Sequence, residues 1–116
     1  MNMLQHSFDS KIDIFILLLF AHFVCDFALQ NDRMAIEKVQ GKDITLNWRW
    51  WLFAHCSTHA LSVSLIASST LLGIFELIMH WIIDFYKGKK YYSLFVDQFL
   101  HVICKLIWCF LLDRII

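Results

Sequence analysis

Residues 50–75 read WWLFAHCSTHALSVSLIASSTLLGIF, and this stretch decides how the chain is understood. It contains no Asp, Glu, Lys or Arg over 26 positions, where a helix crossing bilayer hydrocarbon needs about 20. Its length and lack of period-2 alternation favour helix over strand. Three further apolar stretches flank it, each interrupted by ionisable residues. Residues 12–29 hold Asp13 and Asp26, residues 73–86 hold Glu76 and Asp84, and residues 93–112 hold Asp97 and Lys105. Lipid admits only helices or closed barrels, and four strands cannot close a barrel. The pattern predicts one all-α domain over 1–116, a four-helix transmembrane bundle with helices at about 12–30, 50–72, 73–86 and 93–112. The third is short for a span, about 21 Å at 1.5 Å per residue, unless residues 68–70 form only a tight bend. In loop 31–49, Asp32 is expected to cap a short surface helix ending at Gly41.

Composition agrees with this reading. Of 116 residues, 59% are apolar, against about 45–50% in soluble chains, and mean hydropathy is +0.61. Charged residues are 17%, proline is absent and net charge is zero. These values exclude a disordered chain, a basic nucleic-acid binder and a disulfide-stapled secreted domain. They disfavour a small soluble enzyme, since so short a chain has too little interior for this much apolar surface. The four cysteines all fall within predicted helices and read as packing residues.

Charge between the stretches sets an orientation. Loop 31–49 carries Arg33, Lys38, Lys42 and Arg49, and loop 87–92 carries Lys87, Lys89 and Lys90; the opposite side has only Lys11 and Arg114. Both basic loops are therefore expected in the cytoplasm of a bacterial inner membrane, with both termini outside. Trp48, Trp50, Trp51, Tyr86, Tyr91 and Tyr92 should form a cytoplasmic aromatic belt. A cleavable signal peptide is disfavoured, because the segment before the first stretch is not basic and His22 and Asp26 fit a cleavable core poorly.

Each predicted helix carries two ligand-type residues four apart: His22 and Asp26, His55 and His59, His80 and Asp84, Asp97 and His101. That spacing puts both side chains of a pair on one helix face. Counted from the cytoplasmic ends, all eight lie about 3–14 Å deep at 1.5 Å per residue, in one layer. A lone intramembrane His or Asp usually serves as a helix–helix hydrogen-bond partner. Four pairs in one layer point instead to a shared divalent cation, which offsets both the burial cost and the mutual repulsion of the aspartates. Imidazole with carboxylate suits Zn first, with Fe or Mn as alternatives, and eight candidates allow one or two ions. Glu76 and Lys105 lie just below the layer and read best as a buried ion pair, with Glu76 as ligand or base the alternative. Gln30 and Gln98 flank the layer, either as supporting donors or simply as interfacial residues.

The elements His22-Phe23-Val24-Cys25-Asp26-Phe27-Ala28-Leu29-Gln30, His80-x3-Asp84 before Tyr86-Lys87, and Asp97-Gln98-x2-His101 resemble a family of small bacterial and phage integral membrane proteins, number 3307 among the domains of unknown function. The resemblance runs from about Ile14 to Trp108 and implies a membrane fold without an activity. A looser similarity is to inner-membrane metal-dependent hydrolases, whose H-R-x2-T-H-S element is met here only by His55-Cys56-Ser57-Thr58-His59, without the Arg.

Two functions follow as expectations. One is a metal-dependent hydrolase acting on a lipid-linked phosphate or ester at the cytoplasmic interface, with Glu76, Asp84 or Asp97 as general base and Lys87, Lys89 and Lys90 drawing anionic head groups. The other is a non-enzymatic protein that, alone or as a homo-oligomer, binds or moves a divalent cation or protons, or a structural or effector membrane protein with a stabilising metal. Membrane lipid is the expected partner in each, and nucleic acid in none.

Overall fold

A computed structural model of the chain describes residues 10–115; His6, to which the sequence gives no role, lies outside them. The described residues are all helical, with no strand. Among them are five α-helices, the four long ones and the short one expected in loop 31–49: α1 (Lys11–Phe23), continued by a π-helical turn (Val24–Ala28), then α2 (Asp32–Glu37), α3 (Trp48–Ala67), α4 (Thr70–Gly88) and α5 (Leu94–Ile115).

Every helix starts on a short polar side chain that accepts one of the first, otherwise unpaired, backbone N–H groups. Ser10 accepts from Asp13 at 3.1 Å, Asn31 from Met34 at 2.8 Å, Asn47 from Arg49 at 3.0 Å, Ser69 from Leu72 at 3.2 Å and Ser93 from Val96 at 3.3 Å. These caps move several expected boundaries. The short helix is capped by Asn31, not Asp32, and stops at Glu37 well before Gly41. Glu37 ends it by turning into the following loop, where its carboxylate accepts the N–H groups of Ile44 and Thr45, each at 2.6 Å. Burial works against that charge, but these two bonds prevail and hold the Glu37 carboxyl below its usual value. Helix α3 ends at Ala67 rather than near 72, because Ser68 adopts left-handed backbone (φ 52°) and Ser69 caps the next helix. The bend consumes two residues, so α4 is 19 residues long, about 28 Å, not the short segment 73–86.

The four long helices pack in a ring, α1 on α3, α3 on α4, α4 on α5 and α5 back on α1. The α3–α4 hairpin is the most intimate pair, and Gly73 makes it so. A Cβ at Gly73 would fall 1.8 Å from Ser64 Oγ and 2.8 Å from the Ala60 carbonyl oxygen. An apolar core of Ile14, Leu18, Val63, Leu72, Trp108 and Leu112 fills the end of the ring away from the basic loops. At the loop end Trp48 is buried against Trp81 and Phe85, with ring centroids 5.9 and 5.5 Å apart. Trp48 therefore does not join the expected aromatic belt, whereas Trp50 and Tyr91 are exposed. Tyr92 donates its hydroxyl to the Ile83 carbonyl.

Between these two apolar clusters lies a buried polar layer, while large apolar side chains such as Phe20, Phe53, Leu65, Ile78, Phe95 and Phe110 point outward. One described helix, over Leu94–Arg114, is long and apolar enough to cross a membrane by length and composition. In the others, the residues that lower the mean hydropathy are largely those turned inward.

Replacing Gly73 with Val should force α3 and α4 apart. A loss of about 1–3 kcal/mol is expected for overpacking of this kind, read as a lower thermal midpoint of the detergent-solubilised protein, and an unchanged midpoint would contradict this account of the hairpin.

Candidate metal centre

Alternating chain direction around the ring brings four helix segments to one level. His22 and Asp26 come from the end of α1 and its π-helical turn, His55 and His59 from the first half of α3, His80 and Asp84 from the end of α4, and Asp97 and His101 from the start of α5. All eight are buried, and each of the five histidines is 1% exposed or less. The π-helical turn is a local widening that recurs at functional sites. Here it buries two successive residues, Cys25 and Asp26; the Cys25 thiol donates to the Thr58 carbonyl at 3.6 Å.

Asp26 and Asp84 are the hubs. Asp26 Oδ1 lies 3.0 Å from His55 Nε2, 3.0 Å from His59 Nε2 and 3.6 Å from His80 Nε2. Asp84 Oδ2 lies 3.3 Å from both His55 Nε2 and His80 Nε2, and its Oδ1 lies 3.0 Å from His101 Nε2. His55 Nε2 and His80 Nε2 are themselves 3.3 Å apart. Asp97 Oδ1 approaches His101 Nε2 at 3.4 Å. Asp84 thus presents one oxygen to the His55–His80 pair and the other to His101.

The tautomer of His80 is fixed from outside the cluster. Glu76 Oε1 sits 3.1 Å from His80 Nδ1 and, as a carboxylate, accepts its N–H. Its Nε2 then faces His55 Nε2 and two carboxylate oxygens, an arrangement that calls for a proton or a cation between them. Glu76 is itself held on both oxygens: Lys105 Nζ donates to Oε1 at 2.6 Å and Trp108 Nε1 donates to Oε2 at 2.7 Å. The expected Glu76–Lys105 ion pair is therefore present; Glu76 also positions His80, and its ligand atoms lie within 4.8 Å of those of His80 and His101.

Ring stacking limits how many of these histidines can be charged. His59 and His80 stack with centroids 3.7 Å apart, and His80 and His101 with centroids 4.0 Å apart. Two adjacent imidazoliums at 4 Å would repel by about 4 kcal/mol at an effective dielectric of about 20, so neighbouring rings do not both carry a proton. Against largely neutral imidazoles stand four buried carboxylates, Asp26, Asp84, Asp97 and Glu76. They face two ammoniums, Lys105 and Lys38, the latter 3.0 Å from Asp84 Oδ2. With every imidazole neutral, two negative charges are left over, the charge of one divalent cation, and each imidazolium lowers that excess by one.

The donor set has the right chemistry for such an ion. Atoms bound tetrahedrally at about 2.0–2.1 Å stand about 3.3–3.4 Å apart, close to the separations within Asp26, His55, His59 and His80. Ligand atoms of those four residues all lie within 4.8 Å of one another, as do those of Asp26, Asp97 and His101. His22 stands apart from these groups: its Nε2 donates to Gln98 Oε1 at 2.9 Å and is 3.5 Å from Asp26 Oδ2. Gln98 donates in turn to Asp26 Oδ2 at 2.8 Å and to Asp97 Oδ2 at 3.0 Å, as a supporting donor should. Gln30 bonds the Asp26 backbone carbonyl at 3.0 Å instead.

Two participants escaped the sequence. Lys38 belongs to the basic loop and was counted only toward orientation, yet its ammonium reaches into the layer. Trp108 lies three residues after Lys105, on the same helix face; a buried Glu with two acceptor oxygens would have justified looking there for a second donor.

The family model described as protein of unknown function (DUF3307) matches residues 14–114. No curated protein and no solved structure matches the chain, so the looser similarity to membrane hydrolases has no counterpart among them.

Lys105→Met alone should strip a fully buried Glu76 of its counter-charge and destabilise the protein by about 3–5 kcal/mol. The double variant Glu76→Gln/Lys105→Met should recover most of that loss in thermal unfolding, because neither partner is then left charged and alone. A double variant no more stable than the single one would show that the pair is not what holds this region.

Proposed function

The chain belongs to the DUF3307 family, and we propose that it is a multi-pass integral membrane protein that binds one or two divalent cations and uses them in hydrolysis. What supports the membrane part is an inverted distribution of polarity: ionisable groups fill the interior while phenyl, leucyl and isoleucyl side chains cover the outside, the reverse of what water selects. The four long helices then form the bundle, and the seven basic residues of the two loops face the cytoplasm by the positive-inside rule.

The observation that carries the metal part is His80, whose Nε2 faces two carboxylate oxygens and a second imidazole nitrogen within 3.6 Å. Asp26, His55, His59 and His80 would hold the first ion. Asp26, Asp97 and His101 would hold a second, with Asp26 shared between the two and Asp84 Oδ1 3.0 Å from His101 Nε2 beside it. A divalent ion of this kind lowers the pKa of a bound water and polarises a phosphoryl or acyl oxygen. Zn suits the donors best, with Fe or Mn as alternatives. Asp97 is the candidate general base, since it lines a cleft that opens toward the loops and only one of its oxygens accepts a hydrogen bond among the described residues. A substrate anchored in lipid, with its head group at the interface, would meet the layer from that side.

A proton-binding protein is the second reading, favoured by the same His80, which a second proton at Nε2 would also satisfy. Metal analysis separates the two. Protein purified gently in detergent should retain one or two equivalents of Zn, Fe or Mn per chain. Asp26→Ala and His80→Ala should lose about tenfold or more in metal affinity, the range seen when ligand shells are disturbed, while His22→Ala keeps its metal because that ring donates to Gln98. A folded wild type without stoichiometric metal would overturn the metal reading in favour of protons.

A further inference from the structure

A cleft of about 150 Å³ opens at the loop end directly above the polar layer. Its floor is made by Asp26, Asp84 and Asp97, and its rim carries two lysines, Lys38 from the end of α2 and Lys87 from the last turn of α4. Gln30 and Gln98 complete its polar lining, and the remainder is aliphatic apart from Phe27.

The two levels of this cleft have opposite charge, and that determines what can enter it. A cation binds the floor but gains nothing from the rim. An anion suits the rim but is repelled by the floor until the floor carries a cation. Resting on the metal reading above, we propose that the cleft is a phosphate site, in which Lys38 and Lys87 hold a phosphate monoester or free phosphate dianion once a divalent ion occupies the carboxylates. Charge favours an anion here: with divalent ions answering the carboxylates, the Lys38 and Lys87 ammoniums attract a phosphate dianion, whereas a carboxylic ester offers no charge to attract. Size agrees, since 150 Å³ is about five water volumes at about 30 Å³ each. That is room enough for a tetrahedral phosphate, with any ester group directed toward the opening. Lys38 is suited to the exchange. Its side chain is 16% exposed, its ammonium reaches Asp84 Oδ2 at 3.0 Å, and of its three donors one is met there. A metal on Asp84 competes for that oxygen and frees the ammonium for a ligand in the cleft.

Metal and phosphate should therefore bind with positive linkage. The test uses the full chain in detergent, either Zn-loaded or chelator-stripped, with inorganic phosphate as the probe in equilibrium dialysis. A parallel arm uses phosphatidylcholine vesicles with and without phosphatidic acid. The loaded protein should bind one phosphate group per chain and the stripped protein about tenfold or more weakly. Lys38→Ala and Lys87→Ala should each weaken phosphate binding by about tenfold, in line with loss of a charge-assisted contact, with metal content unchanged or, for Lys38→Ala, raised. Binding in the first arm alone assigns free phosphate, and binding to phosphatidic acid assigns the lipid head group; either supports the site. A metal-loaded chain that binds neither overturns this proposal and leaves the metal reading standing. Equal phosphate binding by stripped and loaded protein overturns it as well, and a chain that holds no metal fails at the earlier step.

Discussion

A carboxylate removed from water must be answered by positive charge or by hydrogen-bond donors, and Asp26 and Asp84 impose that requirement on the whole protein. Both are less than 10% exposed and both stand at the centre of the ring. Every long helix contributes to answering them: α1 through its π-helical turn, α3 through two histidines, α4 through His80, α5 through His101 and Gln98. Even the short α2 serves them, because Lys38 at its end reaches Asp84. Satisfying these two groups is what brings five separate elements into one register.

The remainder of the interior separates two tasks. Lys105, Glu76 and Trp108 form a closed set below the layer, in which each charge and both carboxylate oxygens are met. That set is saturated, so it holds His80 in one tautomer and orientation. The layer above is not saturated. Its three aspartates face a single ammonium, Lys38, and the Nδ1 atoms of His22, His55, His59 and His101 have no partner among the described residues. A rigid, fully paired support beneath an electron-rich, incompletely paired cluster is the arrangement expected where an ion is to be bound and exchanged.

The same burial accounts for the ambiguous hydropathy of the chain. Among the described residues only the Leu94–Arg114 segment passes as a span by length and composition: α1 has 13 residues, and histidines, serines and acids dilute α3 and α4. Their polar atoms lie inside, however, and the outward surfaces of α1, α3 and α4 are as apolar as that of α5. An average along a helix counts both faces alike, whereas a solvent meets only one.

The order of the long helices and the convergence of the four His/Asp pairs could be read from the sequence, because i, i+4 spacing and distance from a helix end are both local quantities. Boundaries were less legible: the Ser68–Ser69 bend and the Asn31 cap depend on one or two side chains that a hydropathy pattern does not weigh. Three-dimensional packing alone decided the division of labour within the layer. Nothing in one dimension distinguishes His22, which donates to Gln98, from His59, which faces Asp26. Nor does it show that a loop lysine enters the site. Those roles depend on which atom of one helix stops within about 3 Å of another, a distance set by helix rotation and by close approaches such as that at Gly73. Spacing along the chain fixes the face on which a residue lies, but only packing fixes what that face meets.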